Sequence, residues 1–295
     1  KILKEIGMPT GKDETWRLTN LKRLNAIFNL KINSLNEKMN NEGNHNFPNI
    51  PQDTSRIIIN GINNKFELSN QSNDLVKLTK AEIEQYIEAK VKLVCHKKNW
   101  PIFINYATNT QIIGLRIQGK NINRLEIITT ALENRYSSTR IILIVEKNAQ
   151  LELLNVNLGS HKSSQNNMLE IEVGENANIQ HGLISLGIKD ESTNFTNFLI
   201  SQEKNSNYSL HTFQEGWFLS RFEPRITQIN GDAYTDLKGL QISKNKQQIA
   251  THAFVKFNGP NGKLDQINKS VAKDNSHSIF NGVIKVPQKA QKTEA

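Results

Sequence analysis

The stretch VEKNAQL, Val145 to Leu151, is answered 28 residues later by VGENANI, Val173 to Ile179. Each spells an apolar residue, two non-hydrophobic ones, Asn-Ala, a polar residue and another apolar residue. Asn and Asp tolerate the left-handed backbone, and their side chains bond nearby N–H groups, so they suit a tight corner. A small residue after the Asx lets a neighbouring layer of chain sit close. Similar corners are read at Asn205-Ser206 in EKNSNYSL, Asp232-Ala233 in INGDAYT and Asn275-Ser276 in KDNSHSIF. The Asx positions 148, 176, 205, 232 and 275 stand 28, 29, 27 and 43 residues apart. A corner at nearly fixed spacing fits stacked coils, a β-helix or solenoid, in which each coil covers the apolar side of its neighbour. A β-sandwich with similar turns fits the same spacing, and periodicity alone leaves both open.

The chain around these corners is β-rich from Trp100 onward. PIFINYA, QIIGLRIQG, RLEIITTA, RIILIVE, LELLNVNLG and MLEIEVG read as strands, separated by Asn, Gly and Ser turns. Upstream the texture differs. Residues Lys1 to about Asn40 read as polar helix, with Leu21, Leu24, Ile27 and Phe28 at helical spacing near Trp16. Asn40 to Gln52 reads as loop. Arg56 to Ser69, RIIINGINNKFELS, reads as strand, Asn-Gly turn, strand. Thr79-Lys-Ala-Glu82 is a capping box for a following helix, with Ile83, Tyr86 and Ile87 on one face. The expected division is a small helical, α+β N-terminal domain over 1–98 and a β domain over 99–295.

Composition narrows the function. The 295 residues have mean hydropathy −0.53, one cysteine and a net charge of +9 at pH 7. No run of about 18 apolar residues suggests a membrane span, and no secretory signal opens the chain. A lone Cys95 cannot pair internally, which fits a cytoplasmic location. The chain begins at Lys1 and stops in a polar run, so a piece trimmed at both ends is expected. The lysines are scattered without a basic block or recognition motif, so the charge reads as a Lys-rich surface with no nucleic-acid partner. The sequons at Asn194, Asn207 and Asn268 read as chance matches in an Asn-rich chain.

Motifs for chemistry are sparse. The seven histidines (45, 96, 161, 181, 211, 252 and 277) fall in no metal-ligand spacing. One cysteine cannot hold an iron–sulfur cluster that takes four thiolates. GPNGKL, Gly259 to Leu264, lacks the spacing and hydroxyl residue of a phosphate loop and reads as a hairpin turn. Asp232 and Asp236, four apart on a strand, share a face, and with Trp217 and Tyr234 they raise the alternative of a β-helical polysaccharide-acting or carbohydrate-binding protein.

The C-terminal run HSIFNGVIKVPQKAQKTEA, His277 to Ala295, decides between these readings. Phe280, Gly282, Val283, Val286 and the Ala290 to Thr293 run resemble the signature of the SufB/SufD family. PTGKDETWRLTNL (Pro9 to Leu21), GWFLSRFEPRI with Arg221 and Pro224, and DLKGLQISKNKQQIATH ending in His252 resemble the SufD branch in its cyanobacterial form. Asn20 stands where that branch commonly has Asp.

The resemblance implies a mainly β fold: a right-handed parallel β-helix between an N-terminal and a C-terminal helical domain, the latter lying outside these residues. It implies a non-catalytic scaffold subunit of the SUF machinery that pairs with a SufB-like subunit and a SufC-like ABC ATPase. This subunit alone would bind no cofactor, while a nascent Fe–S cluster is expected in the complex. A homodimer is expected where the SufB-like partner is absent. Two departures stand out. The segment before PIFINY is short and unlike the family's, and the family's C-terminal Ser-His-Gly-Ala-Thr run is not in this sequence. An open coil presents unpaired backbone groups that a homologous coil can seal by strand addition. The partner-interface candidates are therefore Ile279, Phe280, Gly282, Val283, Ile284 and Val286. An interior rung covered by further chain is the other reading of that segment.

Overall fold

The computed structural model describes residues 9–26, 30–32, 47–59, 64–67, 74–94, 100–108, 112–188 and 191–295. A 3-10 turn, Glu14–Trp16, precedes helix α1 (Leu21–Ala26). Short strands follow: β1 (Lys31–Ile32), β2 (Thr54–Ile59), β3 (Asn64–Glu67) and β4 (Leu75–Lys77). Helices α2 (Lys80–Val94) and α3 (Trp100–Thr108) lead into β5 (Ile112–Ile117), β6 (Ile122–Thr130), β7 (Arg135–Val145) and β8 (Gln150–Leu158). The rest is strand and corner: β9 (Ser164–Val173), β10 (Asn178–Leu186), β11 (Thr193–Gln202), β12 (Asn207–Glu215), β13 (Leu219–Gln228), β14 (Tyr234–Ser243), β15 (Gln248–Phe257), β16 (Lys263–Ala272) and β17 (His277–Lys285).

Odd-numbered strands from β5 to β17 pair in parallel in one sheet, and even-numbered strands from β6 to β16 pair in parallel in a second. The chain alternates between sheets at every corner, which makes a β-solenoid of about six turns. This is the stacked-coil alternative, and the sandwich is excluded. At the N-terminal end β2 extends the second sheet beside β6, and the short strands β3 and β4 add antiparallel to β2 and β5.

Strict alternation builds the core. In β8 Leu151 and Leu153 are buried while Glu152 is exposed. Register then stacks like upon like. Leu115, Leu143, Ile171, Ile200, Ile226 and Val255 pair in sequence across the first sheet, all nearly inaccessible, and the ladder ends on Ile284. Each buried aliphatic side chain of this kind contributes roughly 1.5–3 kcal/mol. Pro224 marks the one gap in the β13–β15 register, since proline offers no N–H to the ladder.

The corners obey a sharper rule than the sequence suggested. Passing from the first sheet to the second, the chain takes a left-handed residue at Asn148, Asn176, Asn205, Asp232 and Asn261. The last of these corrects the expected Asn275. Asn275 belongs to the opposite corner, from the second sheet back to the first, where Asp274 has φ 60° and Asn245 has φ 56° one turn earlier. A coil turns twice per repeat, so one Asx motif was spread over two different corners. GPNGKL is likewise a solenoid corner between parallel strands, not a hairpin.

Two further expectations change. PIFINYA is not a strand: Trp100 to Thr108 is helix α3, with Trp100 to Asn105 buried. It is largely apolar and buried over its first six residues, so it shows no clear helical period, and Pro101 sits in the first turn, where its missing N–H costs nothing. Lys31–Ile32 form a strand against β7 within a segment expected to be helical. The β2–β3 pairing and the capping box are as expected. Thr79 N–H donates to Glu82 Oε2 at 2.8 Å, and Glu82 N–H donates to Thr79 Oγ1 at 3.3 Å. Ile27, Phe28, His45, the Asn60-Gly61 turn, Cys95 and His96 lie outside the described residues.

Candidate functional site

The end of the solenoid gathers all six interface candidates. Ile279, Phe280, Gly282, Val283 and Ile284 lie on β17, and Val286 follows it. β17 pairs with β15 along its length, and among the described residues its outer edge has no partner strand. Phe280, Gly282 and Ile284 stand over Thr251, Ala253 and Val255, on the row that faces the core in every earlier turn. With no further strand over them, Phe280, Val283, Ile284 and Val286 keep 45–49% of their surface exposed. Phe280 folds back over Gly282: a Cβ there would meet the ring at 3.2 Å. Beneath lies a space of about 20 Å³, lined in part by Thr212, Phe222 and Phe280, with room for about one water.

The second sheet ends differently. The Ala290 to Thr293 run forms the next corner, with Ala290 buried and the carbonyl of Gln291 accepting from Asn261 N–H at 2.9 Å. Glu294 then pairs in parallel with Lys263, beginning a strand against β16. Chemically, the free edge of β17 offers a row of parallel-sheet donors and acceptors beside an apolar surface, which suits addition of another strand.

A second cluster lies on the outer face of the first sheet. RFEPR spaces Arg221, Glu223 and Arg225 two apart on β13, so all three share one face. Glu223 accepts from Arg221 Nε and from Arg225 Nη2, each at 2.6 Å. Burial alone pushes the Glu223 carboxyl up, but the two guanidinium groups overcome it and hold it at about 2. Arg221 also donates to the Thr15 carbonyl at 2.8 Å and stacks over Trp16 at 4.1 Å. His252, one strand on, lies 3.0 Å from Arg221 through Nε2. Burial, reinforced by Arg221, lowers its pKa to about 4, so it is neutral near pH 7. Trp16 meets Trp100 edge-on at 5.9 Å, and Trp100 meets Phe195 at 6.1 Å. Thus the two segments that resembled the SufD branch, around Trp16 and around Arg221, touch each other. The resemblance named Arg221 and His252 but not the ion triad; the i, i+2, i+4 alternation of charge was the signal for it.

The residues behind the carbohydrate alternative do not form a site. Trp217 is fully buried and donates Nε1–H to Ser185 Oγ at 2.9 Å. Asp232 is a corner residue that accepts from Asn261 and faces Lys204. Asp236 is tied to Lys238 at 2.8 Å, and Tyr234 donates to Asp265 at 2.7 Å. His181 is enclosed in the core. Asn155 Oδ1 takes its Nε2–H at 2.8 Å, which leaves Nδ1 to accept from Tyr208 Oη, also at 2.8 Å. Burial drops its pKa to about 3. Among the described residues no three His, Cys, Asp or Glu side chains are grouped to hold a metal ion, and no helix is long and apolar enough to cross a membrane.

Residues 127–295, more than half of the chain, match the family model described as SUF system FeS cluster assembly, SufBD core domain. The chain belongs to the SufBD core family. Within it, the chain is 33% identical over 96 residues to an iron–sulfur cluster assembly SufBD family protein of Synechocystis, covering 32% of this chain and 21% of that protein. It is 29% identical over 97 residues to the chloroplastic protein ABCI7 of Arabidopsis thaliana, covering 32% of this chain and 20% of that one. The aligned stretch thus spans about a fifth of the length of each of these curated relatives. The solenoid from β6 onward is the SufBD core, and the Trp16 segment and all three helices lie outside the matched residues.

Proposed function

We propose that this SufBD-core chain is a non-catalytic, SufD-type scaffold subunit in the cytoplasm, pairing with a SufB-like subunit and a SufC-like ATPase. The Fe–S cluster is the cargo of that assembly, formed and passed on by the complex. The observation that carries the proposal is the match of residues 127–295 to the SufBD core on a parallel solenoid, with the SufD-resembling Trp16 and Arg221 segments in contact; the β17 edge, unpaired among the described residues, is where a partner strand or further chain would add. A homologous solenoid presents a like edge with the same strand spacing and an aliphatic row, so it can add to the β17 ladder and cover the core. Burial of four half-exposed apolar side chains adds to the backbone pairing. The domain division at residues 98 and 99 is part of the same proposal, with α2 and the Trp16 segment as the covering N-terminal unit.

Affinity purification of the tagged full-length protein from its own cells tests this. Recovery of a SufB-like protein with an ABC-type ATPase is expected. Recovery of the protein as a stable monomer or as a homodimer alone, with the SufB-like protein present in the lysate, would overturn it.

A further inference from the structure

A groove of about 490 Å³ opens on the outer face of the first sheet, between helix α2 and the strands β9 to β15. It reaches to within one strand of the free edge of β17, whose Val283 and Lys285 pair with Phe254 and Lys256. Its walls among the described residues are aromatic and aliphatic at Tyr86, Ile102, Leu199, Ile229 and Phe254. Its charged groups divide into those already matched and those that are not. Glu172 accepts from Tyr86 Oη at 2.9 Å and faces Lys90 at 2.5 Å. Glu170 is buried against Arg140 at 2.7 Å. Glu223, below the groove, is matched by Arg221 and Arg225.

The cations are not used up. Arg225 spends Nη2 on Glu223, while its Nε is buried with no hydrogen-bond partner among the described residues. Lys256 lines the groove and has no ion pair among the described residues. Among the described residues around the groove, Lys90, Arg140, Arg221, Arg225 and Lys256 stand with Glu170, Glu172 and Glu223, and Lys285 pairs beside Lys256 on the next strand. Register sets the spare donors together: Arg225 pairs with Phe254 and Thr227 with Lys256, so the two cations sit diagonally around one aromatic ring. A buried donor without a partner costs free energy that an acceptor removes, and a concave apolar site with a few converging polar groups is the usual form of a small-molecule site.

We propose that this groove binds a small organic anion, a phosphate or carboxylate carried on a flat ring. The anionic head lies between Arg225 and Lys256, and the ring lies against Phe254 and the aliphatic floor. Both halves are needed. A free inorganic anion leaves the apolar wall wet, and a neutral ring leaves the cations unanswered.

Isothermal titration of the full-length protein with 1-naphthyl phosphate, 1-naphthoate, 1-naphthol and inorganic phosphate tests it. One-to-one binding is expected for at least one of the two naphthyl anions, and which of the two binds identifies the head group. Naphthol and inorganic phosphate should each bind at least about tenfold more weakly. Lys256→Gln and Phe254→Leu should each weaken the anion about tenfold. Lys256 is a half-buried side chain outside every ion pair of the described residues, so Lys256→Gln should keep the unfolding midpoint of the parent. Absence of binding by both naphthyl anions, or affinities unchanged in both variants, would overturn the proposal. Equal binding of naphthol would overturn the anion requirement and with it the assignment.

Discussion

Asn261 stands 29 residues after Asp232 and donates its Nδ2–H to Asp232 Oδ1 at 2.8 Å. The pair repeats what Asn176 and Asn148 do, 28 residues apart at 3.2 Å. In both pairs each residue has φ between 51° and 62°, a left-handed backbone. The corner residue therefore has two tasks. It adopts a conformation that most side chains resist, and its amide links one turn to the next.

These tasks separate by substitution at Asn176. Asn176→Gly keeps the backbone and loses the amide bond, whereas Asn176→Ala loses both. Ala in a left-handed conformation costs on the order of 1 kcal/mol more than Gly. Urea denaturation followed by circular dichroism should rank the proteins parent, Gly, Ala. Asn275→Ala, at a residue outside the left-handed set, should change the midpoint less than Asn176→Ala.

Much of the solenoid was visible in residues 112–295 because a parallel coil repeats its chemistry locally. The β-rich runs read from QIIGLRIQG onward fall on β5 to β9, and the Asx corners named four of the five first-to-second-sheet corners that turn on a left-handed Asx. Asn261 was missed because its small neighbour is Gly262 and it lies in a run that resembled a phosphate loop. Helix α3 was missed because its first six residues are buried in one run, which leaves no clear amphipathic period. The Arg221–Glu223–Arg225 triad was written in the sequence as alternating charge. Its meaning depends on Trp16 and Thr15, some 200 residues away, and no local pattern reports such a contact. The groove beside Lys256 was illegible for the same reason, since its lining comes from six separate elements.

Acid should destabilise the protein in two overlapping stages. His252 and His181 have folded pKa values of about 4 and about 3, below the ordinary histidine value of 6.5. As pH falls below 6.5 the unfolded chain takes up these protons first, so stability falls until the folded values are passed. Glu223 repeats this lower down. Its folded value of about 2 lies below 4.5, so its contribution is whole above pH 4.5 and is lost as pH falls through 2. Denaturation midpoints between pH 7 and 4 should slope less steeply in His252→Gln than in the parent. An unchanged slope would show that His252 is as accessible to protons when folded as when unfolded.

Removing the Glu223 charge should be costly at neutral pH. Glu223→Gln leaves Arg221 and Arg225 near each other in a buried site with their shared carboxylate gone. Breaking such a buried pair from one side costs roughly 3–5 kcal/mol. Urea midpoints should therefore fall further for Glu223→Gln than for Glu152→Gln, whose ion pair with Arg124 is exposed and whose loss costs about 1 kcal/mol or less.

The end plate makes a separable prediction. Ile284 closes the aliphatic ladder that begins at Leu115, yet 45% of its surface is exposed. Placing a charge there should cost little in the isolated chain, because the head group can reach water. Under a further rung the same charge would be buried without a partner, which is strongly unfavourable. Ile284→Asp should keep the unfolding midpoint within a few degrees and lower recovery of the proposed SufB-like partner about tenfold. Equal recovery by parent and variant would show that the partner does not stack on β17.

One amide adds a polar tie between the N-terminal segment and the solenoid, beside the packing of Trp16 and Leu24 against Trp100, Phe195 and Leu219. Gln248 Oε1 accepts from Asn20 N–H at 2.8 Å, and its Nε2–H donates to the Leu18 carbonyl at 2.6 Å. Arg23 supports it, donating to the Phe218 carbonyl at 2.6 Å and lying over the Phe218 ring at 3.8 Å. Both groups of Gln248 are spent on backbone of the segment, so Gln248→Ala leaves one N–H and one carbonyl without their partners. Each loss is worth about 1 kcal/mol or more, while the parallel ladders of β7 to β13 are untouched. Hydrogen exchange in residues 16–26 should therefore quicken about tenfold in Gln248→Ala, with β9 and β11 unchanged. Faster exchange throughout the solenoid would mean that the segment is part of the cooperative core rather than a strap laid upon it. An unchanged rate in residues 16–26 would place the hold in Trp16 and Arg221, and Arg221→Lys, which keeps the charge but loses the planar stack, should then release the segment.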